Sequence, residues 1–164
     1  MTTPSDVLRA MFDHHLWATR TLVDHLDALP ADRLEASVPG TYGSMIATLT
    51  HLIDADTRYL QRLESPSLPR ADDREGVPLS TLREELAVHR RGWDDMLARL
   101  QRGELHAAVR EKNGYPDTDD AEAMLLIQAI HHGNDHRTQI CSTLGAFGLE
   151  VPELDGWAYW VEGR

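Results

Sequence analysis

Apolar residues recur every three or four positions along four stretches of the chain, and proline and glycine collect between them. From Pro4 to about Leu29, the series Leu8, Met11, His15, Leu22, Leu26 and Leu29 keeps i, i+3/i+4, i+7 spacing. That period predicts an amphipathic helix with one face toward a core. Pro4 suits a first helical turn, where its missing N–H is not needed, and Pro30 closes the helix. Pro39, Gly40 and Gly43 mark a linker. A second helix is predicted from about Ser44 to Leu63, with Met45, Leu49, Leu52, Asp56, Tyr59, Leu60 and Leu63 in register. The proline-rich, mixed-charge stretch Ser65 to Pro78 reads as a loop. Thr81 with Glu84 makes a capping box ahead of a third helix, whose stripe is Leu82, Leu86, His89, Trp93, Met96, Leu97 and Leu100.

Gly103 to about Thr118 is irregular, with Asn113-Gly114 as a turn dipeptide and a weak hairpin pattern at His106–Tyr115. The fourth helix is predicted from about Asp119 to Ala146, stopped near Gly145 and Gly148. The tail from Pro152 to Gly163 predicts a short helix carrying Trp157, Tyr159 and Trp160. Few strand signals compete with these. The expectation is an all-α protein: a four-helix bundle with a short C-terminal helical tail, in one domain over residues 1–164.

Composition narrows the function classes. The formal net charge is −11, and the arginines are interleaved with Asp and Glu. A phosphate backbone wants a basic stripe, so nucleic acid is not an expected partner. Membrane surfaces are disfavoured on the same ground, and no apolar run nears the roughly 18–20 residues of a spanning helix. No charged n-region followed by an apolar h-region opens the chain, which points to the cytoplasm. The single cysteine, Cys141, has no internal disulfide partner and reads as a buried structural thiol.

The candidate chemistry lies in IQAIHHGNDHRTQI on the fourth helix. His132 and His136 are four residues apart, which stacks two imidazoles one turn apart on one face. Leu125, Gln128, Ala129, Gln139 and Thr143 share that side. His51, on the second helix between Leu49 and Leu52, is the best third ligand. Three neutral imidazoles would leave a divalent metal with open positions, the build of a catalytic rather than a closed structural site. A ligating imidazole needs an acceptor for its second nitrogen, and Asp54, Gln128 and Gln139 are the candidates to orient the ligands. Nine histidines produce such pairs by chance, so spacing alone leaves a core-polar role open. His131 should point about 100° away from His132. His89 reads as a core or rim residue, and His25 and His106 as exposed. One of His14 and His15 should face inward. There is no His-Glu-x-x-His, no Glu-x-x-His and no glycine-rich phosphate loop.

At these residues the chain resembles the DinB-like superfamily of four-helix-bundle metalloproteins (the DinB/YfiT-like type). HHLWATRTLVDHLDALP resembles the family's first-helix segment in Trp17, Ala18 and Leu22, with His14 and His15 where the family carries Tyr-Asn. GSMIATLTHLIDAD places His51 on the first family ligand. HGNDHRTQI places His132 and His136 on the other two, with Arg137 and Gln139 also matching. The resemblance implies a three-histidine site for a divalent metal, with zinc and nickel as the expected occupants and iron or manganese as alternatives. It also implies a homodimer, for which the first and third helices offer faces; Trp17 and Trp93 read as ordinary core residues, with anchors of such a face as the alternative. Relatives transfer low-molecular-weight thiols to small electrophiles, so a metal-dependent thiol transferase is the first expectation, with Arg58 as a contributor at the pocket mouth. A metal-dependent hydrolase, or a non-catalytic metal-binding dimer in stress response, are the alternatives.

Overall fold

The computed structural model describes residues 2–63, 74, 76–104 and 121–163, the side chains of Ala121 and Glu122 excepted. Five α-helices follow in order: α1 (Pro4–Asp27), α2 (Met45–Arg62), α3 (Leu79–Gln101), α4 (Ala121–Ala146) and the short α5 (Gly156–Glu162). One 3-10 turn, Ala31–Arg33, follows α1. The described residues contain no strand, as the hydrophobic period required. The hairpin considered at 106–115, His106, and most of the 65–78 loop lie outside the described residues.

Local chemistry sets the helix starts. Thr3 caps α1: its hydroxyl accepts from the Asp6 N–H while Asp6 Oδ2 accepts from the Thr3 N–H at 2.8 Å. Ser44 caps α2 by accepting from the Ala47 N–H, and Asp155 caps α5 through two N–H groups. The box expected at Thr81 and Glu84 is not used. α3 begins earlier, with Pro78 at its N-cap and no side-chain cap. Proline's fixed φ places Pro78 in the extended cap conformation, and its carbonyl takes the Thr81 and Leu82 N–H groups.

The four long helices bury two separate apolar clusters. The first joins Leu22, Leu26, Leu49, Leu52, Leu82 and Leu144 with their neighbours. The second joins Phe12, Leu16, Leu60, Trp93, Leu126 and Ala129 with theirs. On α1 it is Phe12, 1% exposed, that faces the core, whereas Met11 is 45% exposed, contrary to the predicted stripe. The 3.6-residue turn carries the buried face one position along by that point in the helix. Trp93 is 1% exposed and packs on Phe12 at 4.5 Å, so it is a core residue and not a surface anchor. Trp17 packs against Tyr159 of α5.

Between the two clusters every long helix turns polar. The buried polar residues are His15 and Thr19 on α1, Asp54, Asp56 and Thr57 on α2, His89 on α3, and His136 and Arg137 on α4. Apolar residues resume on both sides of this layer in each helix. Burying that many polar groups mid-bundle is costly unless they satisfy one another. The layer is where the candidate chemistry sits.

Candidate metal centre

α2 and α4 pack against each other and bring His51, His132 and His136 together. His132 Nε2 lies 3.2 Å from His51 Nε2 and 3.1 Å from His136 Nε2. One ligand atom from each ring falls within 4.8 Å of the other two. An imidazole nitrogen sits about 2.0–2.1 Å from zinc, which puts neighbouring ligand nitrogens about 3.0–3.4 Å apart. The observed spacing therefore fits a shared ion. The donor chemistry agrees, because lone pairs aimed at one point repel unless a cation or a proton lies between them.

The tautomers can be read from the partners. Gln139 Oε1 accepts from the Tyr42 N–H at 2.8 Å and from His136 Nδ1 at 3.3 Å. His136 thus carries its hydrogen on Nδ1 and turns a bare Nε2 to the cluster, the form a metal ligand needs. His132 is pushed down to about 4 by burial, and by the neighbouring His136 and His51 rings. His136 is also lowered, mainly by burial. Both rings are therefore neutral and able to ligate at physiological pH.

The other expected orienting residues sit elsewhere. Gln128 hydrogen-bonds the Tyr59 hydroxyl, and the Tyr59 ring packs edge-on to His132 at 5.9 Å. His132 Nδ1 is buried with no hydrogen-bond partner among the described residues. Asp54 does not turn to the histidines: it pairs with Arg74, whose Nε donates to Asp54 Oδ1 at 3.0 Å. Arg74 also donates to both Glu85 oxygens at 2.7 and 2.9 Å. Arg58 lies close enough for its charge to oppose protonation of His132, as a minor contribution behind burial.

Tyr42 escaped the sequence reading. Its ring stacks on His51 at 4.0 Å and meets His136 edge-on at 5.6 Å. It is 55% exposed, so it stands at the open side of the cluster. The only signal was its place in the Pro-Gly-Thr-Tyr-Gly linker, a turn that delivers one aromatic ring beside the start of α2.

The remaining histidines separate cleanly. His131 is exposed. His15 is the inward member of its pair, 1% exposed, with Nε2 on Asp56 Oδ2 at 2.7 Å. His14 bonds the Leu154 carbonyl at 2.8 Å. His25 is half-buried on the Glu150 carbonyl rather than free at the surface. His89 is buried on Thr57 Oγ1 at 2.8 Å. Cys141 is half-buried, and burial pushes its thiol up, away from nucleophilic use.

The comparison with family models decides the lineage. The DinB family model matches residues 1–162. The chain belongs to the DinB family. Its histidine cluster lies on the two helices where the resemblance implied the family's ligands. A search of curated proteins returned no match. Among the described residues no helix is long and apolar enough to cross a membrane.

Proposed function

We propose that this DinB-family protein is a metal-dependent enzyme that uses a low-molecular-weight thiol against a small electrophile. The observation that carries the reading is the convergence of three imidazole nitrogens, with no carboxylate or thiolate joining them among the described residues, beside an open face lined by Tyr42. His51, His132 and His136 would hold a divalent ion, with zinc or nickel the occupants that the family resemblance implies and iron and manganese as the alternatives; three imidazoles by themselves suit several of these metals. Such an ion supplies full positive charge, which favours the thiolate form of a thiol placed against it.

The chain's own residues do the rest. Gln139 fixes the His136 tautomer and holds the Tyr42 loop against the site through the same oxygen. Tyr42 shields one side of His51 from water and offers an aromatic wall to an incoming electrophile. The same centre could instead activate a water for hydrolysis, since a metal lowers the pKa of a bound water toward neutrality. The two buried carboxylates of α2 are paired elsewhere, Asp54 with Arg74 and Asp56 with His15. Cytoplasmic location and a homodimer go with the thiol reading. Since Trp93 is interior and Trp17 is covered by Tyr159, a dimer contact would draw on other exposed apolar residues.

The test pairs composition with turnover. Untagged protein loaded with zinc or nickel should carry about one equivalent of metal. It should consume thiol in the presence of an alkyl halide, epoxide or unsaturated acid, and His132→Ala should lose both properties. Metal binding without thiol consumption across such a panel would reject the transferase reading. Ester or amide cleavage by the same protein would support the hydrolase instead.

A further inference from the structure

Beside the histidine cluster, a chain of buried polar contacts joins the two ligand-bearing helices through α1. Asp56 on α2 accepts from His15 Nε2 at 2.7 Å. Arg137 Nη1 lies 3.2 Å from His15 Nδ1, 3.3 Å from the His15 carbonyl and 2.8 Å from Thr19 Oγ1. Arg137 Nη2 donates to Asn134 Oδ1 at 2.6 Å. A guanidinium only donates, so His15 Nδ1 must accept, and the ring hydrogen sits on Nε2 facing Asp56. His15 therefore reads in one direction, from Arg137 on α4 to Asp56 on α2.

The members of this chain are placed next to the ligands. Arg137 follows His136 and Gly133 follows His132, so each lies about 100° around α4 from its neighbour. Gly133 is the gap that admits the His15 ring: a Cβ there would lie 2.4 Å from His15 Cε1 and 2.6 Å from Nδ1. One face of α4 thus aims two imidazoles at α2, while the adjoining face is locked to α1 by His15. Asp56, five residues after His51, locks α2 to the same ring.

We infer that His15 is a positioning residue for the metal centre, setting the separation and register of α2 and α4 so that His51 meets His132 and His136. This inference rests on the metal-site reading above. Hydrogen bonds supporting metal ligands are typically worth about 10–100-fold in metal affinity. A bridge acting through helix spacing should be worth roughly tenfold or more by the same reasoning.

Cobalt(II) is the probe, since its d–d absorption reports coordination geometry independently of turnover. Wild type, His15→Ser, His15→Gln and the packing control Leu22→Ala are titrated under conditions where each is folded by circular dichroism. The expected result is roughly tenfold or greater loss of cobalt affinity and an altered d–d spectrum in His15→Ser. His15→Gln, whose amide can both accept and donate, should restore most of the affinity. Leu22→Ala should keep the wild-type spectrum. If His15→Ser does not fold, Gly133→Ala, which displaces the ring without removing it, is read against the same criteria. Wild-type affinity and spectrum in the His15 or Gly133 variant would overturn the inference, as would an equal loss in Leu22→Ala. Failure of the wild type itself to bind cobalt, zinc or nickel would overturn the metal-site reading, and this inference with it.

Discussion

Gly133→Ala should destabilise the metal-free protein, although glycine-to-alanine changes inside helices ordinarily stabilise. Gly133 lies mid-way along α4 and is buried. On propensity alone, alanine would add about 1 kcal/mol. The structure reverses the sign. The new methyl would stand 2.4 Å from His15 Cε1, 2.6 Å from Nδ1 and 3.0 Å from Arg137 Nη1. Ordinary contact begins near 3.4 Å, so the ring must retreat by about an ångström. His15 is 1% exposed and has no empty space to retreat into without disturbing its 2.7 Å bond to Asp56. Overpacking of this kind costs about 1–3 kcal/mol. Weakening a buried hydrogen bond to a charged group costs about 1.5–3 kcal/mol more. After the propensity gain is subtracted, a net loss of about 1.5–5 kcal/mol is expected.

Urea unfolding of the metal-free protein, followed by far-UV circular dichroism, measures this directly. At roughly 2–4 °C per kcal/mol for a chain of this size, a parallel thermal melt should fall by about 3–20 °C. Gly145→Ala is the control. It lies on the same helix, is exposed, and its added Cβ would meet only Val151 Cγ2 at 3.7 Å, an ordinary contact. It should be neutral or stabilise by up to about 1 kcal/mol. Equal and favourable effects at both glycines would refute the reasoning, because they would mean that His15 does not occupy the space beside Gly133.

Other outcomes follow from the same geometry. His132→Ala, measured by elemental analysis beside wild type, should drop bound divalent metal from about one equivalent to near zero, since two imidazoles remain where three converged. Tyr42→Ala should keep metal stoichiometry but weaken cobalt affinity several-fold, because His51 loses its stacked neighbour; unchanged affinity in an equilibrium titration would remove Tyr42 from the site. Thr57→Val takes from His89 Nε2 its partner among the described residues, where Nδ1 has none, so unfolding should show a loss of about 1–3 kcal/mol. Acid should weaken the metal-free fold early. His132 is held down at about 4, and His89 and His136 are also lowered, chiefly by burial, from the ordinary 6.5. The unfolded chain then binds more protons than the native one below 6.5, so stability falls as pH drops from about 6.5 toward 4. A flat stability profile over that window, from urea midpoints, would contradict the burial of these rings.

Much of the bundle was legible because its helices announce themselves twice, by period and by punctuation. The prolines and glycines bounding α1 and α2 gave their ends to within a few residues. The start of α3 was misread because a side-chain capping box was available at Thr81, and nothing local reveals that Pro78 can begin the helix earlier with a carbonyl alone. Met11 was misplaced for a related reason. A stripe read by eye tolerates either of two adjacent apolar residues, and only packing against Trp93 selects Phe12.

The candidate site divides in the same way, and the division has a physical cause. His132 and His136 are visible because one helix fixes their relation at a spacing of four. His51, on another helix, became a specific candidate through its own apolar frame and the family resemblance. Of the bridge through His15, only the inward turn of one of His14 and His15 was legible, not its partners. Its parts are a histidine on α1, an aspartate on α2, and a glycine and an arginine on α4, and each reads in isolation as ordinary helix polarity. Asp54 and Asp56 show how far this goes. They are two residues apart on one helix, both at most 2% exposed, and the sequence singled out Asp54 as a residue to orient the ligands. A difference of 200° around the helix axis sends Asp54 to Arg74 and Asp56 to His15. Helical period can tell which side of its own helix a carboxylate occupies. What stands opposite that side is decided by three other helices, and a buried charge takes whichever cation or donor the packing leaves within reach.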